Sequence, residues 1–179
     1  MDDRVTSTET ADLAGPTEAA DAWSLVRDAA LRGAASRQQE ESLFALADGV
    51  LGVRGGADEL EGVGGVFLNT VYDRTPIAYH ERFTGFARAS DTRVPVADAL
   101  GVRIELAGVR LGAEHLLAAE RRLDLRTGEL VRRARYRLPA GELELEASRV
   151  VGGGGLVSRR LRLRSRGAAG AISLVAVLA

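Results

Sequence analysis

The sequence contains no cysteine and no lysine, two histidines, one tryptophan and one methionine, and aromatic residues make up only 4% of it. Without cysteine there are no disulfides, thiolate metal sites or cysteine nucleophiles, so stability has to come from packing. Without lysine there is no Schiff-base chemistry and no lysine general base. A Walker-type loop, which needs a lysine beside the phosphates, is excluded too. All 24 basic residues are arginine, and with the Ala, Gly, Val and Leu richness this reads as a GC-rich coding bias rather than a function. His80 and His115 have no partner at metal-ligand spacing and suggest no triad. No metal or cofactor is expected. No apolar run reaches the roughly 18 residues a membrane helix needs. Met1-Asp2-Asp3-Arg4 lacks the basic region and apolar core of a secretory signal. The expectation is a soluble, cytoplasmic protein.

What is present is enough for one domain. A chain of 179 residues can bury roughly 70% of its unfolded surface. Its formal charge of −1 argues against a generic polyanion binder, although the charges are unevenly placed, and nucleic acid is not implied. Residues 1–20 carry Asp2, Asp3, Glu9, Asp12 and Glu18 against Arg4 alone, the composition of a disordered acidic tail. The remainder, residues 21–179, is expected to form the folded domain. Residues 21–40 are ambiguous: a helix would place Trp23, Val26 and Ala30 on one face, while "AWSLV" also serves as a short strand. From Leu43 onward, apolar or alternating runs recur at 43–46, 50–54, 66–72, 102–107, 130–138, 143–151, 156–164 and 172–178. The intervals between them hold turn residues and leave no room for regular crossover helices. An antiparallel sandwich or barrel is therefore expected over a parallel α/β sheet.

Two hairpins can be registered from charge alone. In "LVRRARYRL", Ala134, Tyr136 and Leu138 share one face and Arg133, Arg135 and Arg137 the other. In "ELELEA", Leu143, Leu145 and Ala147 oppose Glu142, Glu144 and Glu146. A turn through Leu138-Pro139-Ala140-Gly141 pairs Arg137 with Glu142, Arg135 with Glu144 and Arg133 with Glu146, whereas a one-residue slip sets arginines against leucines. A loop from Gly152 to Leu156 then sets Arg162 opposite Glu146 and Arg164 opposite Glu144. Such a ladder is read as a solvated sheet face, each exposed pair being worth about 0.2–1 kcal/mol.

Two stretches invite a chemical reading. "GVLGVRGG" does not match G-x-G-x-x-G and has no following helix signature to present free N–H groups to a phosphate, so it reads as a buried strand with a turn at Gly55-Gly56. "VYDRTPIAYHERFTGF" gathers Tyr72, Asp73, Arg74, Tyr79 and His80 with Phe83 and Phe86. Ring faces beside carboxylates and arginines suit a sugar, whose C–H groups pack on the rings while polar groups take the hydroxyls. They equally suit contact with a neighbouring domain or subunit. Tyr72, Asp73, Arg74, Tyr79 and His80 are the candidate substrate-binding residues; none is a candidate catalytic residue.

Several segments, in order, resemble the N-terminal region of glycoside hydrolase family 65: "WSLV" at 23–26, "ESLFALADGVLGVRG" at 41–55, "GVFLNTVYD" at 65–73, "ERRLDLRTGELVR" at 120–132 and "SRVV" at 148–151. The second and fourth are similar to that family's E-S-L-F-x-L-G-N-G-x-L-G-x-R-G and R-x-L-D-[LM]-R-x-G-x-L. Ala47-Asp48-Gly49 stands where the family usually has Gly-Asn-Gly. The resemblance spans residues 23–179 and implies an all-β antiparallel super-sandwich of the galactose-mutarotase-like kind, cut short here. It further implies that the catalytic (α/α)6 barrel, with the general acid and phosphate site, lies outside these residues. The implied parent acts on α-glucosyl disaccharides, with inversion: inorganic phosphate attacks as co-substrate in its phosphorylases, and water attacks in its hydrolases. Implied partners are the barrel of the same polypeptide and a second subunit in a homodimer, with no nucleic acid and no membrane. The rival reading is a stand-alone carbohydrate-binding or structural β-sandwich without turnover. A sandwich cut before its last strands is expected to be poorly soluble or partly molten alone.

Overall fold

A computed structural model describes residues 22–28, 34–57, 59–60, 65–97, 100–167 and 170–176. The acidic segment 1–20 and Ala30 lie outside the described residues. In chain order the elements are β1 (Ser24–Asp28), α1 (Ala34–Leu43), β2 (Leu46–Ala47), β3 (Leu51–Val53), β4 (Val66–Pro76), β5 (Ala89–Val96), β6 (Val102–Leu106) and β7 (Val109–Arg110). A 3-10 turn (Ala113–His115) follows, then β8 (Leu116–Asp124), β9 (Glu129–Leu138), β10 (Gly141–Gly152), β11 (Leu156–Arg166) and β12 (Ile172–Ala176). All the strand pairings are antiparallel.

The ambiguous N-terminal stretch turns out to be both things. Ser24–Asp28 is a strand paired with β8, and Ala34–Leu43 is a helix. The strand expected at 43–46 is corrected by that helix. Its sequence, AASRQQEESL, has good helix formers and no alternation. The Phe44 amide donates to the Glu40 carbonyl at 3.0 Å as the helix ends. Phe44 is then fully buried while Leu43 stays 46% exposed.

The strands form a five-stranded sheet ordered β1-β8-β9-β10-β11, a three-stranded sheet ordered β12-β6-β7 and a four-stranded sheet ordered β2-β3-β4-β5. The first two face each other across one core. Val102, Ile104 and Leu106 of β6 pack with Ala119, Ala134, Tyr136, Leu143 and Leu145 of the larger sheet. The four-stranded sheet is joined to the larger one by two smaller clusters. Phe44 and Leu46 meet Leu123 and Leu130, and Leu51, Val53 and Val66 meet Val151 and Val157.

Both charge-registered hairpins have the expected pairing. β9 and β10 align Arg137, Arg135 and Arg133 with Glu142, Glu144 and Glu146, and β10 and β11 align Glu146 with Arg162 and Glu144 with Arg164. Gly141 pairs with Leu138, so Pro139-Ala140 alone forms the tip of the first turn. Ala134, Tyr136, Leu138, Leu143, Leu145 and Ala147 are all buried. Three strands, β5, the two-residue β7 and β8, lie outside the runs read from the sequence. β5 is a polar edge strand containing Pro95, a residue tolerated there because an edge needs no ladder donor. In β8 the inward row is Ala119, Arg121 and Leu123, and the arginine breaks the apolar alternation.

Candidate functional site

The candidate sugar-binding residues lie on a projecting arm. β4 pairs with β3 through Val66 and Leu68, then bulges: its register with β5 shifts between Phe67 and Tyr72. Thr70 sits at the bulge with φ 74°, an uncommon conformation for a β-branched residue. Asn69 ties this point to the sandwich. Its amide N–H donates to the Val50 carbonyl at 2.7 Å and its side-chain Nδ2 to the Gly49 carbonyl at 3.0 Å, while its Oδ1 accepts from the Thr70 amide and the Tyr72 hydroxyl. Beyond it, β4 is exposed from Asn69 to Pro76, and β5 runs back beside it largely exposed. Asp48 stiffens the anchoring turn. Its Oδ1 accepts from the Val50 and Leu51 amides, and its Oδ2 from the Gly155 amide at 2.7 Å. Backbone hydrogen bonds, from Leu51 first and then Gly155 and Val50, hold its carboxyl below the usual range. The 41–56 stretch is thus a structural joint binding the arm and the glycine turn 152–155.

The five candidates do not converge on one point. Strand alternation puts Tyr72 and Arg74 on one face of the arm and Asp73 on the other. Cross-strand neighbours are Arg93 for Tyr72 and Asp91 for Arg74. Tyr79 and His80 belong to the tip loop, and about 13 Å of strand separates Tyr72 from its start after Pro76. At the tip, Tyr79 and Phe86 have ring centroids 5.1 Å apart, and Phe83 and Phe86 5.5 Å. The rings remain largely open to solvent, with Phe83 62% exposed. The tip is an aromatic surface; the arm's flank is a polar one.

A second constellation lies inside the sandwich. Arg121 and Arg132 are direct cross-strand neighbours, and both are buried, as is Arg149. Opposite charge reaches them from α1 and from the segment between β3 and β4. Arg121 meets Glu40 at 3.3 Å, and Arg132 Nε donates to Glu59 at 2.7 Å. The Tyr136 hydroxyl donates to the same Glu59 oxygen at 2.6 Å, and Arg149 donates to the Arg54 carbonyl at 2.9 Å. Burial alone would raise the Glu59 pKa, but the Arg132 charge and the hydrogen bonds outweigh it and hold the carboxyl below its usual range. Burial and then the Glu59 charge push the Tyr136 phenol well above its ordinary value. A carboxylate with one oxygen held by two donors, beside a neutral phenol and buried with it, makes a clamp rather than an acid–base pair. Its signal was in the sequence: Arg132 has the same parity as Ala134, Tyr136 and Leu138, so it falls in the inward row. Among the described residues no group of three or more His, Asp or Glu is placed to hold a metal ion. No helix among them is long and apolar enough to cross a membrane.

Residues 33–152 match the model of the glycosyl hydrolase family 65 N-terminal domain. The chain belongs to that family. Its matched region takes in the 41–55 and 120–132 motifs and begins after "WSLV". An uncharacterized glycosyl hydrolase of Mycobacterium tuberculosis is 42% identical over 120 residues, which cover 63% of this chain and 15% of that protein. The α,α-trehalose phosphorylase of Thermoanaerobacter brockii is 30% identical over 122 residues, 63% of this chain and 16% of its own length. A solved structure assigned as a kojibiose phosphorylase from the human microbiome shares the fold. Its TM-score is 0.68 at 17% identity, over 82% of this chain and 20% of that one. The family 65 chain described here therefore spans a small part of the length of these relatives.

Proposed function

We propose that this chain is the N-terminal, non-catalytic domain of an inverting phosphorylase or hydrolase of α-glucosyl disaccharides, and that its β4–β5 arm reaches the rim of the sugar site. The observation that carries this reading is the arm itself, an exposed two-stranded projection with an aromatic tip, on a family 65 N-terminal domain. The trehalose and kojibiose phosphorylase names of its relatives support the substrate class. The general acid and the phosphate that attacks the anomeric carbon belong to the (α/α)6 domain, with phosphate as co-substrate and no resident cofactor. The sandwich carries that domain and aims the arm. Tyr79 and Phe86 offer ring faces to a pyranose, while Tyr72 and Arg74 lie along the flank that approaches the neighbouring domain.

The test compares the isolated chain with the complete enzyme. The isolated chain is expected to release no glucose 1-phosphate from maltose, trehalose or kojibiose. In the complete enzyme Tyr79→Ala is expected to raise KM about ten-fold with a smaller change in kcat, the loss of one ring contact. An unchanged KM would remove the arm from the sugar site. Disaccharide binding by the isolated chain as tight as in the complete enzyme would favour a stand-alone sugar-binding sandwich instead.

A further inference from the structure

The outer face of the five-stranded sheet holds more arginine than its neighbouring carboxylates neutralise. β9 contributes Arg133, Arg135 and Arg137, β10 contributes Glu142, Glu144 and Glu146, and β11 contributes Arg160, Arg162, Arg164 and Arg166. Glu146 meets both Arg133 and Arg162, at 3.0 and 3.2 Å; Glu142 meets Arg137 at 2.6 Å and Glu144 meets Arg166 at 2.9 Å. All three carboxylates are engaged. Among the described residues Arg160 and Arg164 have no such partner, and both are exposed.

The chain carries the opposite charge in its own sequence. Residues 1–20 hold Asp2, Asp3, Glu9, Asp12 and Glu18 against Arg4 alone. They precede Ala22, the first described residue, which leads into β1 at the far side of the same sheet. One cross-strand row, Leu25, Leu123, Leu130, Arg149 and Arg159, runs through all five strands. Four strand spacings, about 19 Å, therefore separate β1 from the start of the β11 arginines. Counted along and across the strands, Ala22 lies about 23 Å from Arg160 and about 32 Å from Arg164. Asp12 and Glu9 precede Ala22 by ten and thirteen residues, lengths of chain that span up to about 33 and 43 Å. Asp12 can reach Arg160, and Glu9 can reach Arg164, each with length to spare.

We propose that the outer face of β11 is the docking surface for the acidic segment 1–20 of the same chain, with Asp12 and Glu9 supplying the carboxylates that Arg160 and Arg164 lack. Single exposed ion pairs are weak. Covalent attachment changes their effect, because it holds these carboxylates near the arginines at an effective concentration on the order of mM, and several pairs then act together. The segment neutralises the arginine row from within the chain, and rising salt releases it.

The absence of lysine makes the test selective. In the full chain, R160K/R164K places two amines on this face and, apart from the α-amino group, nowhere else. A carbodiimide then joins each amine to any carboxylate in contact with it. Glu144, directly across from position 164, gives the internal reference product. At low ionic strength the amines are expected to couple to Glu9 and Asp12, read by mass spectrometry of the digested monomer. That coupling should fall about ten-fold in about 1 M salt while the Glu144 product persists. R110K, on β7 in another sheet, should couple to its cross-strand neighbour Glu105 and not to residues 1–20. Far-UV circular dichroism establishes that both variants are folded. No product with residues 1–20, coupling to them that is as strong from R110K or as strong in salt, or such products in cross-linked dimers alone would each overturn the proposal. The last outcome would give the surface to a second copy.

Discussion

Glu59 holds two donors at once inside the sandwich, and removing it leaves the buried Arg132 without its carboxylate, directly across from buried Arg121. Glu59→Gln is expected to cost about 3–5 kcal/mol in urea unfolding, because breaking one half of a buried pair strands the other. Tyr136→Phe, which deletes one donor and keeps the ring, should cost about 1–3 kcal/mol. The pH dependence has a definite sign. The folded pKa of Glu59 lies below its ordinary value of 4.5, so its contribution is fully present above that value and is lost as pH falls through the folded pKa. Glu59→Gln should therefore lower stability at pH 7 and flatten the acid limb of the stability curve below about pH 4.5. Asp48 explains its own departure from the usual asparagine. A carboxylate can accept on both oxygens, from Val50 and Leu51 on one and from Gly155 on the other. In Asp48→Asn one of those acceptors becomes a donor facing a donor. The Gly155 amide is expected to exchange faster with deuterium while the β9–β10 amides keep their protection.

The element on which the proposed function turns is the arm, and its geometry comes from two adjacent residues at its base. Asn69 makes four of the hydrogen bonds that fix the arm's exit from the sandwich. Asn69→Ala should raise hydrogen exchange from residue 70 to residue 93 with little effect on β8–β10 protection. Thr70→Gly tests the bulge conformation. Glycine adopts φ 74° without a Cβ penalty, so a stability gain of up to about 1 kcal/mol is expected in urea unfolding, offset by a more flexible unfolded chain. The hairpins β9–β10 and β10–β11 were legible in advance because period-2 charge and apolar rows admit one register. The arm was legible only as a cluster of aromatic and charged residues. Its bulge depends on Asn69 reaching Gly49 and Val50, a contact no local pattern announces.

At the scale of the whole molecule, two sheets share one core, and their β11 and β12 edges carry no further strand among the described residues. β12 is open along its length, with Ile172 at 37%, Leu174 at 48% and Val175 at 45% exposure. Leu174→Lys is accordingly expected to reduce aggregation of the chain, measured by light scattering, without lowering its melting temperature. By itself the sequence determined the antiparallel class, the register of the Arg/Glu hairpins and, through its motifs, the family, because each is written in neighbouring residues or in period-2 alternation. Only the tertiary structure decided that the inward Arg121 and Arg132 meet Glu40 and Glu59 and that Arg149 meets the Arg54 carbonyl, that Asp48 holds a turn more than a hundred residues away, and that Tyr72 stands apart from Tyr79. The physical reason is the same in each case: a buried charge or a bulge is set by the partner that long-range folding delivers, and an isolated strand carries no record of that partner.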